Sequence, residues 1–180
     1  MRVFFGLEPD QQTILAIADW RDRQFNAAGR AVPPANFHIT LAFIGELGER
    51  DIEQLCLSVD TWLQRSQPHG AALTLDRTGY WHKPGIYWLG PTSCPPELSR
   101  LAGKLGILSQ RVGGKRDRKT FQPHITLFRG CDRAPAPPAS PPHFHFHYDH
   151  FTLFESRQGR NGVSYHPISE WEFTRQSGLL

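Results

Sequence analysis

The spacing of apolar residues changes several times along this chain, and each change marks a predicted element. Residues 2–8 form a short β-type run, and Pro9-Asp10 stops it and offers a helix N-cap. Ile14, Ile17, Ala18 and Phe25 then recur at helical spacing. A loop over residues 29–36 carries two prolines, and residues 37–44 read as an apolar-rich strand ended by Gly45 and Gly48. Ile52, Leu55, Cys56, Val59 and Leu63 recur every three or four residues, with acids in the first turn where a helix dipole favours them. Residues 72–78 and 86–90 read as two strands of a hairpin turning at Lys83-Pro84-Gly85. Leu98, Leu101, Ala102, Leu105 and Leu108 give a third helical stripe, which Gly103 and Gly106 weaken by about 1 kcal/mol each relative to Ala.

The basic loop GGKRDRK follows, and then a second apolar strand begins just after Pro123, at a position where a sheet tolerates proline. Residues 134–142, APAPPASPP, read as an extended polyproline connector. HFHFHYDHFTLFES alternates aromatic and polar over its first six residues, as a half-buried antiparallel strand does. Residues 163–173 are its expected hairpin partner, beyond the turn Arg160-Asn161-Gly162. Strands and helices occur in both halves of the 180 residues, which predicts one α+β domain large enough to bury its own core.

The strand at 37–41 reads FHITL and the one at 123–127 reads PHITL. Residues two apart in a strand share a face, so His38 lies with Thr40, and His124 with Thr126, while the Ile and Leu residues face the other way. A single copy would read as the polar face of an ordinary strand. Two copies lining one cleft would set two imidazoles and two hydroxyls against each other. That set suits in-line displacement at phosphorus: one imidazole takes a proton from the attacking oxygen, and the other gives one to the leaving oxygen. The threonines would hold the non-bridging oxygens. Arg129, three residues past Thr126, is a candidate phosphate contact, although strict alternation puts it on the opposite face unless the strand bends or ends there.

The paired His-x-Thr-Leu motifs, the N-terminal RVFFGLE strand, and the contexts NFHITLAFIGEL and FQPHITLFR resemble the two-histidine phosphoesterases. Within them the chain is most similar to the bacterial and archaeal RNA 2′,3′-cyclic phosphodiesterases, also called 2′–5′ RNA ligases. The resemblance implies two pseudosymmetric lobes of antiparallel sheet with helices on the outer faces, a central active-site cleft, and no metal or cofactor. It implies hydrolysis of an RNA-terminal 2′,3′-cyclic phosphate to a 2′-phosphate, with weak 2′–5′ ligation as a reverse-type reaction. His38 would protonate the departing 3′ oxygen and His124 would activate water. Arg129 matches the arginine after the second motif, whereas Phe43-Ile44-Gly45 stands where the first would have one.

Other features adjust this picture. The net charge of +3 is compatible with an anionic ligand without requiring one. Lys115, Arg116, Arg118 and Lys119 are candidates for RNA phosphates, against a solvated loop. Phe5 and Tyr80-Trp81 are candidates for base stacking, with core burial the competing use of Phe5. His143, His145 and His147 share a strand face at spacings of about 7 Å, too far apart to converge on one ion unaided. Cys56, Cys94 and Cys131 are odd in number and lack a CxxC, so they read as reduced thiols, and a cytoplasmic setting is the default. No apolar run approaches the roughly 20 residues of a membrane span, and no phosphate-binding glycine loop supports an ATP-dependent ligase. The alternatives are a non-catalytic module that binds RNA ends, or a phosphodiesterase acting on small cyclic nucleotides or 2′–5′-linked oligonucleotides. A monomer is the default.

Overall fold

The computed structural model describes residues 1–26, 29–115 and 117–175. The elements run β1 (Arg2–Leu7), α1 (Gln11–Gln24), β2 (Arg30–Ala31), β3 (Ile39–Glu46), α2 (Glu49–Ser66), β4 (Ala71–Leu75), β5 (Arg77–Trp81), β6 (Ile86–Gly90), α3 (Pro96–Gln110), β7 (Ile125–Arg129), β8 (Phe144–Tyr148), β9 (His150–Gly159) and β10 (Gly162–Glu172). The architecture is α+β. One antiparallel sheet runs β10-β9-β1-β3-β7-β6-β5 with β2 added on β7, and β4 and β8 form a separate pair.

The strands that carry the two motifs are neighbours at the centre of the large sheet. They meet antiparallel through one residue pair, Ile39 opposite Ile125. One face of the sheet joins a continuous core. Val3, Phe5 and Leu7 of β1 pack there with Ile17 of α1, Leu55 and Val59 of α2, and Leu98, Leu101 and Leu105 of α3. The helices start where local chemistry dictates: Asp10 accepts the Thr13 N–H at 2.9 Å to cap α1, and Glu49 and Asp51 occupy the first turn of α2.

Arg21 of α1 is 4% exposed and ties the helix to the motif strands. Its guanidinium donates to the carbonyls of Val32 and Leu127 and lies 5.2 Å from the Phe37 ring and 5.6 Å from the Phe128 ring. The proline-rich connector is pinned to the same helix, because the Trp20 indole donates to the Ser140 carbonyl and the Ser140 N–H donates to Gln24.

Two predicted strands divide. The run at 72–78 breaks at Asp76, whose N–H donates to the Gly90 carbonyl and whose carboxylate accepts the Thr92 N–H. Its first part, β4, pairs with β8, so the hairpin about Lys83-Pro84-Gly85 is formed by β5 and β6. The aromatic-polar run divides at Asp149. Before it, Phe146 and Tyr148 alternate with exposed histidines; after it, residues 151–154 are all buried, because β9 lies between β1 and β10.

Candidate active site

His38 and His124 each stand one residue before their strand begins, and each is held the same way. The Nδ1–H of His38 donates to the Asn36 carbonyl at 2.8 Å, and that of His124 to the Gln122 carbonyl at 2.8 Å. A proton kept on Nδ1 leaves the Nε2 lone pair of each ring free for chemistry. In His38 this lone pair accepts from the Thr40 hydroxyl at 3.1 Å. Extending the register beyond Ile39 and Ile125 sets His38 across from Thr126 and Thr40 across from His124, which brings the four predicted side chains to one patch of the sheet.

Aromatic rings wall both imidazoles. Phe4 and Tyr165 lie 4.9 and 4.8 Å from His38, while Trp81 and Trp88 lie 4.6 and 6.2 Å from His124. Trp88 is slotted over Gly79, where a Cβ would come within 2.1 Å of the indole. Burial among these rings favours the neutral form. It pushes His38 down to about 4 against the pull of the Asn36 carbonyl, with the charges of His124 and Arg129 adding to the depression. Burial also lowers His124, again with help from Arg129.

Arg129 reaches the cleft because the strand does not alternate regularly. Tyr87 pairs with Phe128 and Trp88 with Thr126, so Leu127 is an extra residue in β7, a β-bulge. Leu127 and Phe128 both enter the core, and Arg129 returns to the face of Thr126. The first motif bulges at its own leucine: Phe5 pairs with Ala42 and Gly6 with Thr40, leaving Leu41 extra. Phe43 thereby takes the position equivalent to Arg129 and also faces the cleft.

The cleft measures about 800 Å³, and His38, Thr40, Phe43 and Arg129 open onto it. Its far wall is the β9–β10 hairpin, through Ser156, Gln158, Asn161, Val163 and Tyr165. Arg2, Phe4 and Arg30 also line it; these residues and the hairpin were missed from sequence, where only the Asn161-Gly162 turn gave a signal. The stacking candidate Phe5 is corrected by the structure. Its ring is 0% exposed, on the core side of β1, and Phe4 is the cleft-side aromatic.

Tyr80 is committed elsewhere, donating to the Cys131 carbonyl, while Trp81 flanks His124. Lys115 is docked by its N–H on the Ile44 carbonyl, and Arg118 and Lys119 are exposed; none of the three lines the cleft. Arg116 lies outside the described residues. His143, His145 and His147 are exposed on β8 and its approach, with His145 hydrogen-bonded to Thr74. Among the described residues no group of three or more histidines, cysteines or acids is placed to hold a metal.

Known proteins resemble this chain in sequence and in fold. The chain is 34% identical over 177 residues to the RNA 2′,3′-cyclic phosphodiesterase of Escherichia coli (strain K12), covering 97% of each. It is 28% identical over 133 residues to the enzyme of the same name from Archaeoglobus fulgidus, covering 72% of each. Crystal structures of E. coli LigT superpose closely. The complex with 3′-AMP matches at TM-score 0.85 and 34% identity over 96% of this chain and 98% of that one. The complex with NADP+ matches at TM-score 0.85 and 32% identity, over 96% and 97%. Residues 8–160 match the model of one family, and the chain belongs to it: the 2′-5′ RNA ligase superfamily.

Proposed function

We propose that this protein is an RNA 2′,3′-cyclic phosphodiesterase that works without a metal. The observation that carries the reading is the pairing of Ile39 with Ile125, which turns two distant His-Ile-Thr-Leu segments into one acid-base site. Water attacks phosphorus, the P–O3′ bond breaks, and the phosphate stays on O2′. The Thr40 and Thr126 hydroxyls and Arg129 hold the non-bridging oxygens, where charge builds in the transition state. His124 removes the proton from water and His38 delivers one to O3′. Burial keeps both rings neutral in the free site, so the phosphate monoanion of the substrate must raise His38 enough to charge it. A 5′-hydroxyl entering in place of water would break the same bond and give a 2′–5′ linkage, which accounts for weak ligation. We place the protein in the cytoplasm as a monomer. Cys56, Cys94 and Cys131 carry free thiols, and among the described residues no helix is long and apolar enough to cross a membrane.

The test is hydrolysis of a short RNA ending in a 2′,3′-cyclic phosphate, in excess chelator, with the 2′- and 3′-phosphate products resolved. His38→Ala and His124→Ala should each lower turnover by about 100-fold or more while leaving the fold intact. Near-normal activity in both variants would overturn the reading, and binding without turnover would favour a non-catalytic module for RNA ends.

A further inference from the structure

Among the described residues three arginines line the cleft, Arg2, Arg30 and Arg129, and no aspartate or glutamate does. Among the described residues none of the three forms an ion pair with a carboxylate. Arg30 stands directly across from Arg129 in the β2–β7 pairing, an arrangement of like charges that costs stability unless an anion bridges them. Arg2 is held by the first motif, its guanidinium 5.2 Å from the centre of the Phe43 ring. Phe43 occupies the place that Arg129 holds in the second motif, so the cation there is supplied from β1 over a ring that is itself 38% exposed. Of the three arginines, Arg129 is the one whose charge depresses both imidazoles.

A cyclic phosphodiester carries a single negative charge, and Thr40, Thr126 and Arg129 already provide for it. Arg2 and Arg30 are therefore in excess of what the reacting group needs. We infer that Arg2 and Arg30 bind a second phosphate, the one on the 5′ oxygen of the nucleoside that bears the cyclic end. This rests on the function proposed above and specifies its substrate: a nucleotide extended by phosphate on its 5′ side. Guanidinium pairs suit such a group because they grip phosphate oxygens through parallel hydrogen bonds. The phosphate can be an internucleotide diester of an RNA chain or the terminal 5′-phosphate of a single nucleotide.

Binding of stable products tests this without turnover. Dissociation constants at one ionic strength would be compared for adenosine 2′-phosphate, adenosine 2′,5′-bisphosphate, and the dinucleotide ApA ending in a 2′-phosphate. The wild type should prefer at least one of the two 5′-extended ligands over adenosine 2′-phosphate by about 10-fold. That preference should collapse toward one in R2Q and in R30Q, and persist in R65Q, which removes a charge from α2 away from the cleft. Tighter binding of the dinucleotide assigns the site to a chain, and tighter binding of the bisphosphate assigns it to a 5′ terminus. Equal affinity for all three ligands in the wild type, or a preference that survives in both R2Q and R30Q, would overturn the inference. Hydrolysis by the wild type of the dinucleotide ApA ending in a 2′,3′-cyclic phosphate is measured alongside. Its absence would count against the proposed function, while the binding ratio still decides the second site.

Discussion

Replacing His38 by Asn removes a titrating group and leaves an amide able to donate to the Asn36 carbonyl. Burial holds the wild-type ring at about 4, against an ordinary 6.5. The unfolded chain takes up its proton as pH falls through 6.5, and the folded chain resists until about 4. The stability due to the buried neutral ring is therefore complete above pH 6.5 and is lost as pH falls from 6.5 toward 4. Fully expressed, a gap of this size is worth about 3 kcal/mol. Most of it, about 2 to 3 kcal/mol, should appear between pH 7.5 and pH 4.5. Urea denaturation followed by tryptophan fluorescence at those two pH values gives the unfolding free energies of wild type and H38N. Comparing the two chains cancels the other groups that titrate in this range. The wild type should lose about 2 to 3 kcal/mol more than H38N. Equal losses would show that the ring is solvated in the folded state and that the aromatic wall of Phe4 and Tyr165 does not desolvate it.

The same depression should appear in catalysis: kcat/KM for a cyclic-phosphate RNA should follow a bell with its maximum below pH 6.5, because both free-site histidines lose their protons early. A maximum above pH 7 would contradict this. Arg21→Met should destabilise the fold by about 3 kcal/mol in urea titrations, since the Val32 carbonyl loses its charged donor and both flanking rings lose their cation; a loss below about 1 kcal/mol would remove Arg21 as a tie between α1 and the motifs. Gly79→Ala should cost about 1–3 kcal/mol by overpacking, since the new methyl meets the rigid Trp88 indole, and should lower kcat through the displaced wall of His124. A crystal structure of G79A with Trp88 unmoved would refute that coupling.

Much of the fold could be read from local signals. The cap at Asp10, the helical stripe through Val59 and the Asn161-Gly162 turn each act within a few residues, so each appears in the sequence and in the structure. The doubled motif was legible because His and Thr repeat at a spacing that only a strand places on one face. Arg129 was harder, since the bulge at Leu127 is imposed by pairing with Tyr87 and Trp88, about forty residues earlier, and no local residue announces it. Phe4 and Phe5 could not be told apart because β1 is covered on both faces and all its residues after Arg2 are buried, which erases the alternation. The division at Asp76 likewise depends on a carbonyl and an amide from residues 90 and 92.

The meeting of Ile39 with Ile125 also acts as a fixed gauge for proton transfer. Neighbouring strands are held about 4.8 Å apart by backbone hydrogen bonds, so the gap between the two imidazoles is set by this one pairing at the middle of the sheet. At the rim, away from that pairing, the β9–β10 hairpin forms the far wall past which a nucleotide must enter and leave. Lengthening or stiffening that hairpin would change how fast substrate comes and goes, and leave the distance between donor and acceptor as it was.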